Sequence, residues 1–565
     1  MVNWARLPDG AAVGGGVNGY LRELAVELAR LGHDACALSG GMAYVPDRWP
    51  SGPIPPRPNV QLDLAPPALP RPGPPSVRRM PDYRHDDATP PIRVFEMVNS
   101  PVVAPAIFQF HDPRGEIGQP ALEAEFLRFL RVLRPDVVHF HNIEGLSPLC
   151  VECCRMGDAA SGWPGARVVF SLHNYHTICP QVYLVRRDGS VCRDFENGHA
   201  CVGCLDARPD EVQLRVRGFL RENRQALALA RKAEDHAAQP WHRRARQAWH
   251  APAPRPDGQP TLAPDDVSGR CVGDDLFDEE PAPAAAPPPV PLSLEPVDND
   301  IRPEPLGLHE PNDYALRRRA MVAMLSRCDV VHAVSSFVGA KFASMGVPRE
   351  RIRVASIGTR MVDLAQERPS PTPVPPAGPL RLLFIGYHNR YKGLHMLVEV
   401  LETLPEGVAG RVALAVHAKD LGPMADRLDS LRGRLADVRF EGAYEPRRVP
   451  ALCRGQHLGV VPSIWWDNGP QTVLEFLACG LPVLGANVGG IPDQVRDGEN
   501  GLLFRANDRA DLARAITRLA SEDGLVERLR AGVRPPRSMS QHALEILAMY
   551  EAAKRARDAT EGSST

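Results

Sequence analysis

At 565 residues the chain is too long for a single hydrophobic core, so two or more domains of about 100–200 residues are expected. Its 44% hydrophobic and 24% charged content is that of a soluble globular chain, and a net charge of -2 gives no whole-protein field that would hold nucleic acid or an anionic bilayer. Any phosphate binding must therefore be local.

No basic-plus-apolar leader opens the sequence, and no apolar run approaches the ~18–20 residues that span a bilayer, so the chain reads as cytoplasmic. Twelve cysteines spread over this length fit free thiols in a reducing compartment rather than a disulfide scaffold. The opening MVNWARLPDG supplies only the tail of a first strand. A parallel sheet wants several more apolar residues before Val2, so the true start codon is expected upstream of Met1; sequencing the native N-terminus checks this.

Next, AVGGGVNGYLRELAVELARLGHD sets Gly14, Gly15 and Gly16 before a helix with apolar positions Leu21, Leu24, Ala25 and Leu28. Glycines let a phosphate approach the backbone, and a helix N-terminus offers free N–H groups and a partial positive charge. A tight strand-to-helix turn would use the same glycines, and the pattern is neither GxGxxG nor a P-loop. The runs DVVHFHN, RVVFSLHN, DVVHAVSS and RIRVASIG then read as strands buried on both faces.

Between them lie three different stretches. CPQVYLVRRDGSVCRDFENGHACVGC holds Cys179, Cys192, Cys201 and Cys204, the number for a tetrahedral structural zinc site, with His176 or His199 as a substitute ligand. Free or paired thiols are the alternative. Residues 215–250 are rich in Arg and carry Trp241 and Trp249, which reads either as a solvated helix or as a surface for peripheral membrane contact. Residues 247–312 are rich in Pro, Ala and Asp and too poor in apolar residues to offset ordering entropy, so a disordered insert is expected.

After the Pro-rich linker at 367–379 the strand pattern restarts with LRLLFIG, RVALAVHA, DVRFEG, HLGVVPS and LPVLGAN. The fold class is α/β: two doubly wound Rossmann-like domains with the insert in the first. Residues 1–246 and 313–366 make the first domain, 380–535 the second, and 536–557 a final helix with Ser540 as N-cap and Leu544, Ile546, Leu547 and Tyr550 as its apolar face.

In the second domain, Arg390 and Lys392 sit on the loop leaving the first strand, at the edge where open α/β sheets bind ligands. Solvated loop charges are the plainer reading. After HLGVVPS, a helix beginning at Pro470 would present the N–H groups of Gly469, Gln471 and Thr472 as a second anion cradle. Asp467 precedes that cradle and Glu475 lies inside the helix. Carboxylates would repel a phosphate they touched, so they more naturally grip hydroxyls. A ligand with phosphate in the middle and hydroxyls on both sides is a nucleotide sugar.

The combination GGGVNGYLRELAVELARLGHD, SSFVGAKFASMGVPRERIRV, FIGYHNRYKG and PSIWWDNGPQTVLEFLACGLPVLGANVGGIPDQVRDGENGLLF resembles the retaining glycosyltransferases of family 4, which have the two-domain GT-B fold. The resemblance implies that Asp467 contacts sugar hydroxyls of the donor and Glu475 the ribose. It further implies that the Arg390/Lys392 loop binds the diphosphate, that the Gly15/Gly16 loop closes over it, that His173 faces the reacting sugar, and that the last helix crosses back onto the first domain. Catalysis would need no cofactor, the donor would be UDP- or GDP-linked, and the acceptor a saccharide or lipid-linked glycan at the inner face of a membrane. Two positions depart from the family: Asp467 stands where Glu is usual, and Tyr387 where many members have Arg. A GT-B-fold epimerase, which would turn over the donor alone, and a scaffold that binds a nucleotide sugar without releasing NDP from it are the rival readings.

Overall fold

The computed structural model describes residues 1–13, 15–44, 73–205, 297–301, 309–365, 378–387, 389–419 and 421–562. The Arg-rich segment at 215–250 is outside them, as are nearly all of the 367–379 linker and most of the 247–312 insert.

The first domain is built on an eight-stranded sheet of β1 (Val2–Asn3), β2 (Cys36–Ala43), β3 (Ser76–Tyr83), β4 (Ile92–Val98), β5 (Val137–Phe140), β6 (Arg167–Leu172), β7 (Val330–Ala333) and β8 (Ile352–Val354). Their order in space is β3-β4-β2-β1-β5-β6-β7-β8. The second domain is a six-stranded parallel sheet of β9 (Leu380–Tyr387), β10 (Val412–Lys419), β11 (Asp437–Glu441), β12 (Leu458–Val461), β13 (Val483–Ala486) and β14 (Gly501–Phe504), ordered β11-β10-β9-β12-β13-β14. Central strands such as β7 and β12 are buried along their whole length, because helices cover both faces. Packing is close enough to dictate small residues: a Cβ on Gly459 of β12 would stand 2.1 Å from the Phe476 ring.

Because β9 and β12 are neighbours, the loops leaving their C-terminal ends meet. The two domains also touch directly. Ser336 N and Oγ, at the start of the first-domain helix Ser336–Ser344, both donate to the Asp493 carboxylate at 2.5 Å. A carboxylate at a helix N-terminus is favoured by the free N–H groups there.

Three elements depart from expectation. Strand β3 pairs antiparallel with β4, on the sheet edge, and its register shifts between Met80 and Tyr83, around Pro81. Proline cannot donate to a ladder and is tolerated at such an edge irregularity. Residues 297–301 and 309–312, assigned to the disordered insert, have definite contacts: Val297 bridges Ala506, and the Asn312 side chain accepts from Tyr314 N at 3.0 Å to cap the helix Asp313–Arg327. The final helix runs Met539–Gly562 and is capped by Ser538, not Ser540: Gln541 N donates to Ser538 Oγ at 3.2 Å while Gln541 Oε1 accepts from Ser538 N at 3.0 Å. That reciprocal pair is a capping box, which wins over a lone Ser two residues later. Ser540 instead donates to Glu27 at 2.7 Å, and Leu544 is exposed while His542, Ala543, Ile546, Met549 and Ala553 are buried. The helix lies on the first domain through Tyr20 Oη with His542 Nε2 and His139 Nδ1 with Tyr550 Oη, both at 2.8 Å.

Candidate functional site

Beyond β9 the chain forms a tight turn, Arg390–Lys392, in which Asn389 Oδ1 accepts from Lys392 N at 3.0 Å. Gly393 follows with φ of +74°, and a Cβ there would lie 1.8 Å from Pro462 O. Only glycine lets this turn press against the end of β12. Ile464 N donates to Tyr391 O at 3.0 Å and closes the two loops together. The product of this contact is an ion pair: Lys392 Nζ is 2.8 Å from Asp467 Oδ2, and Ser463 Oγ donates to the same oxygen at 3.3 Å. The Asp467 side chain is only 8% exposed and that of Lys392 30% exposed, so the pair is shielded but reachable. Lys392 and Asp467 were expected on different parts of a ligand; they are in contact.

Asp467 is fixed through its backbone as well. Gly490 N donates to Asp467 O at 2.7 Å, and a Cβ on Gly489, whose φ is +58°, would fall 2.0 Å from that carbonyl. Pro470 is the N-cap of the helix Gln471–Ala478, so Gln471 and Thr472 lie in its first turn. Across the cleft, Gln471 Nε2 donates to Gly16 O at 2.9 Å, in the first turn of the helix Gly15–Arg30. The two glycine- and proline-led helix starts thus face each other, with Gly469, Pro470 and Lys392 beside them. Arg390 presents buried Nε and Nη2 atoms, and Asn468 both of its amide atoms, without an acceptor or donor among the described residues. Such orphaned polar groups fit a bound polar ligand.

Glu475 is half-buried in the same helix, and burial raises its carboxyl to about 7. The folded protein then keeps a proton that the unfolded chain releases near 4.5, so this group's stabilisation is present below that value and is lost as pH rises through about 7. Glu475→Gln is expected to gain about 1–3 kcal/mol over wild type at pH 8 and nothing near pH 4.5, its partial exposure keeping the figure low. Thermal melts across that range check this, and parallel pH curves for the two proteins would contradict it.

His173 directly follows β6 and shares a 3.2 Å hydrogen bond between its Nε2 and His141 Nδ1, with its ring 4.8 Å from that of Tyr20. Burial, with His332 and His542 nearby, holds its pKa well below the usual imidazole value, so it is neutral. Two residues on, Tyr175 Oη donates to Trp466 O at 2.8 Å, which ties the His173 segment to the residue preceding Asp467. Tyr175, Gly393 and Gly489 escaped the sequence reading. A glycine at each sharp approach was the available signal for the latter two.

The cysteine expectation does not find its geometry. Among the described residues no group of three or more His, Cys, Asp or Glu side chains is placed to hold a metal ion. Cys204 Sγ accepts from Gln181 Nε2 at 3.0 Å, and Cys201 packs with Phe110, Phe195 and Ala315. Burial, together with the neighbouring thiols of the same group, pushes the Cys179, Cys192, Cys201 and Cys204 thiols above their ordinary range. The substitute ligands are engaged elsewhere: His176 Nε2 is 2.9 Å from Glu116 and 2.8 Å from Arg317, and His199 Nε2 meets Glu310 O at 2.8 Å.

Residues 367–534, which contain the Lys392–Asp467 pair and Glu475, match the family model described as glycosyl transferases group 1. The chain carries a glycosyl transferases group 1 domain. Among similar chains, Escherichia coli (strain K12) WcaL, named provisionally as a colanic acid biosynthesis glycosyltransferase, is 29% identical over 209 residues, covering 35% of this chain and 50% of that one. The D-inositol 3-phosphate glycosyltransferase of Streptomyces bingchenggensis is 37% identical over 145 residues, covering 25% and 31%. The chain thus spans half or less of the length of these curated relatives. A sucrose-phosphate synthase structure from Thermosynechococcus elongatus aligns over 98% of both chains at 15% identity with a TM-score of 0.49. The group 1 domain accounts for the second sheet and its loops, while Gly16 and Tyr175 reach it from the first domain.

Proposed function

We propose that the chain is a retaining, family 4-type glycosyltransferase that moves a hexosyl group from a UDP- or GDP-linked donor to a saccharide or lipid-linked acceptor. The observation that carries this reading is the Lys392–Asp467 pair beside the start of the Gln471–Ala478 helix, covered from the other domain by Gly16. Lys392, the Arg390 guanidinium, whose Nε and Nη2 have no acceptor among the described residues, and the N–H groups of Gln471 and Thr472 supply positive charge to the donor diphosphate, which is why the reading needs no metal ion. Asp467 and Asn468 offer acceptors and a donor to sugar hydroxyls, and Glu475 accepts from the ribose. His173, neutral, faces the sugar from the first domain.

In the proposed transfer the bond from the anomeric carbon to the diphosphate oxygen breaks as the bond to the acceptor oxygen forms on the same face. The acceptor proton passes to the leaving diphosphate, and no protein nucleophile is used. The protein positions the groups and stabilises charge growing on the diphosphate, where one well-placed donor is worth ~10²–10³ in rate. No helix among the described residues is long and apolar enough to cross a membrane; work at the inner membrane face on a lipid-linked acceptor is part of the proposal.

The test is NDP release from UDP- and GDP-sugars with and without saccharide and lipid-linked acceptors. Release that depends on an acceptor supports transfer. An altered donor sugar without acceptor would instead identify an epimerase, and binding without release under every condition a scaffold.

A further inference from the structure

Residues 297–301 lie between β6 and β7 in chain order, and so belong to the first domain, yet they are seated on the second. Trp466, the indole next to Asp467 and only 2% exposed, donates from Nε1 to Asp298 O at 2.8 Å. The Asn299 side chain makes both available bonds to one backbone residue: Gly489 N donates to its Oδ1 at 2.7 Å, and its Nδ2 donates to Gly489 O at 3.1 Å. Val297 N donates to Ala506 O at 3.0 Å. Arg193, also of the first domain, holds the segment from behind, 2.9 Å from the Asp298 carboxylate and 3.3 Å from Asp300 O, with its guanidinium 5.5 Å from the centre of the Trp466 ring.

These contacts converge on Asp467 from both sides. Trp466 precedes it, while the Gly489–Gly490 turn that Asn299 grips carries the N–H that binds Asp467 O and packs on that carbonyl too closely for any Cβ. The paired bonds of Asn299 imitate a strand neighbour. Asp could still accept from Gly489 N but would set a carboxylate oxygen against Gly489 O, and Gln is one methylene too long to keep both bonds.

We propose that Asp298 and Asn299 form a clasp, delivered from the first domain, that holds the Trp466–Asp467 loop in its working position, and that Asn299 is a positioning residue for sugar transfer. The part concerning transfer rests on the function proposed above; the clasp itself does not. A carboxylate displaced by about 1 Å loses on the order of 10² in rate. Since Asp467 is assigned to the sugar, Asn299→Ala is expected to lower kcat about 10- to 100-fold while nucleoside diphosphate affinity stays within about two-fold. A merely structural role would move both or neither.

The test is hydrogen–deuterium exchange of the full chain over residues 464–470 and 486–492, in wild type, Asn299→Ala and Asn299→Asp, with UDP, GDP and ADP binding measured on the same samples. The Gly489 amide is expected to be protected in wild type, to exchange about 10- to 100-fold faster in Asn299→Ala, and to be intermediate in Asn299→Asp, where the acceptor survives. Equal exchange in wild type and Asn299→Ala would overturn the clasp. If wild type binds none of the three nucleotides, the proposed function fails, and the exchange result still decides the clasp.

Discussion

Lys392→Ala is expected to cut acceptor-dependent NDP release by ~10²–10³-fold, the cost of removing one donor aimed at developing charge. The ammonium lies 2.8 Å from Asp467 Oδ2, three residues before the N-cap of the Gln471–Ala478 helix. Its loss also leaves the shielded Asp467 carboxylate with Ser463 alone among these partners, so stability should fall by about 1–3 kcal/mol, less than for a fully buried pair because Lys392 reaches solvent. The double variant Lys392→Ala/Asp467→Asn should regain stability without regaining activity, which separates the two roles. Kinetics and urea unfolding monitored by tryptophan fluorescence check both. Retention of more than a tenth of the wild-type rate by Lys392→Ala would contradict the assignment.

Gly393→Ala should do comparable damage without touching a charged group. Its φ of +74° disfavours any side chain, and the new Cβ would meet Pro462 O at 1.8 Å, a backbone atom that cannot swing aside. The strain and overpacking together cost about 2–4 kcal/mol if the loop stays in place. The cheaper response is for the Arg390–Lys392 turn to lift away, which separates Lys392 from Asp467. The expected result is a protein that melts within a few degrees of wild type but has lost ~10²-fold in transfer. Normal activity with an unchanged melt would show that the turn does not need this contact.

What was legible in the sequence follows from burial. Strands such as DVVHAVSS and HLGVVPS are covered on both faces, so they read as continuous apolar runs. Strand β3 was not legible, because an edge position admits Arg78, Arg79 and Pro81. Gly16, Arg390, Lys392, Asp467 and Glu475 could be singled out as candidates from sequence, but not their mutual geometry. Lys392 and Asp467 are 75 positions apart, and only the adjacency of β9 and β12 brings their loops together. Residues 297–301 have no periodicity to detect; their order comes from main-chain and amide contacts to the second domain, which composition cannot register. The four cysteines show a different limit: their spacing does reflect thiols that lie near one another, but it could not tell whether the described side chains are set out as a metal-ligating group, which they are not.

Sugar transfer as proposed requires that the cleft bind a nucleotide through Lys392 and Glu475. Calorimetry of UDP, GDP and ADP with wild type, Lys392→Ala and Glu475→Gln addresses this most directly. Because ribose hydroxyls favour the ionised carboxylate, wild-type affinity should rise with pH towards about 7 and level off above it. Micromolar binding of UDP or GDP by wild type is expected, with both variants weakened at least ten-fold. Absence of binding by a folded wild-type protein, or equal binding by all three, would contradict it.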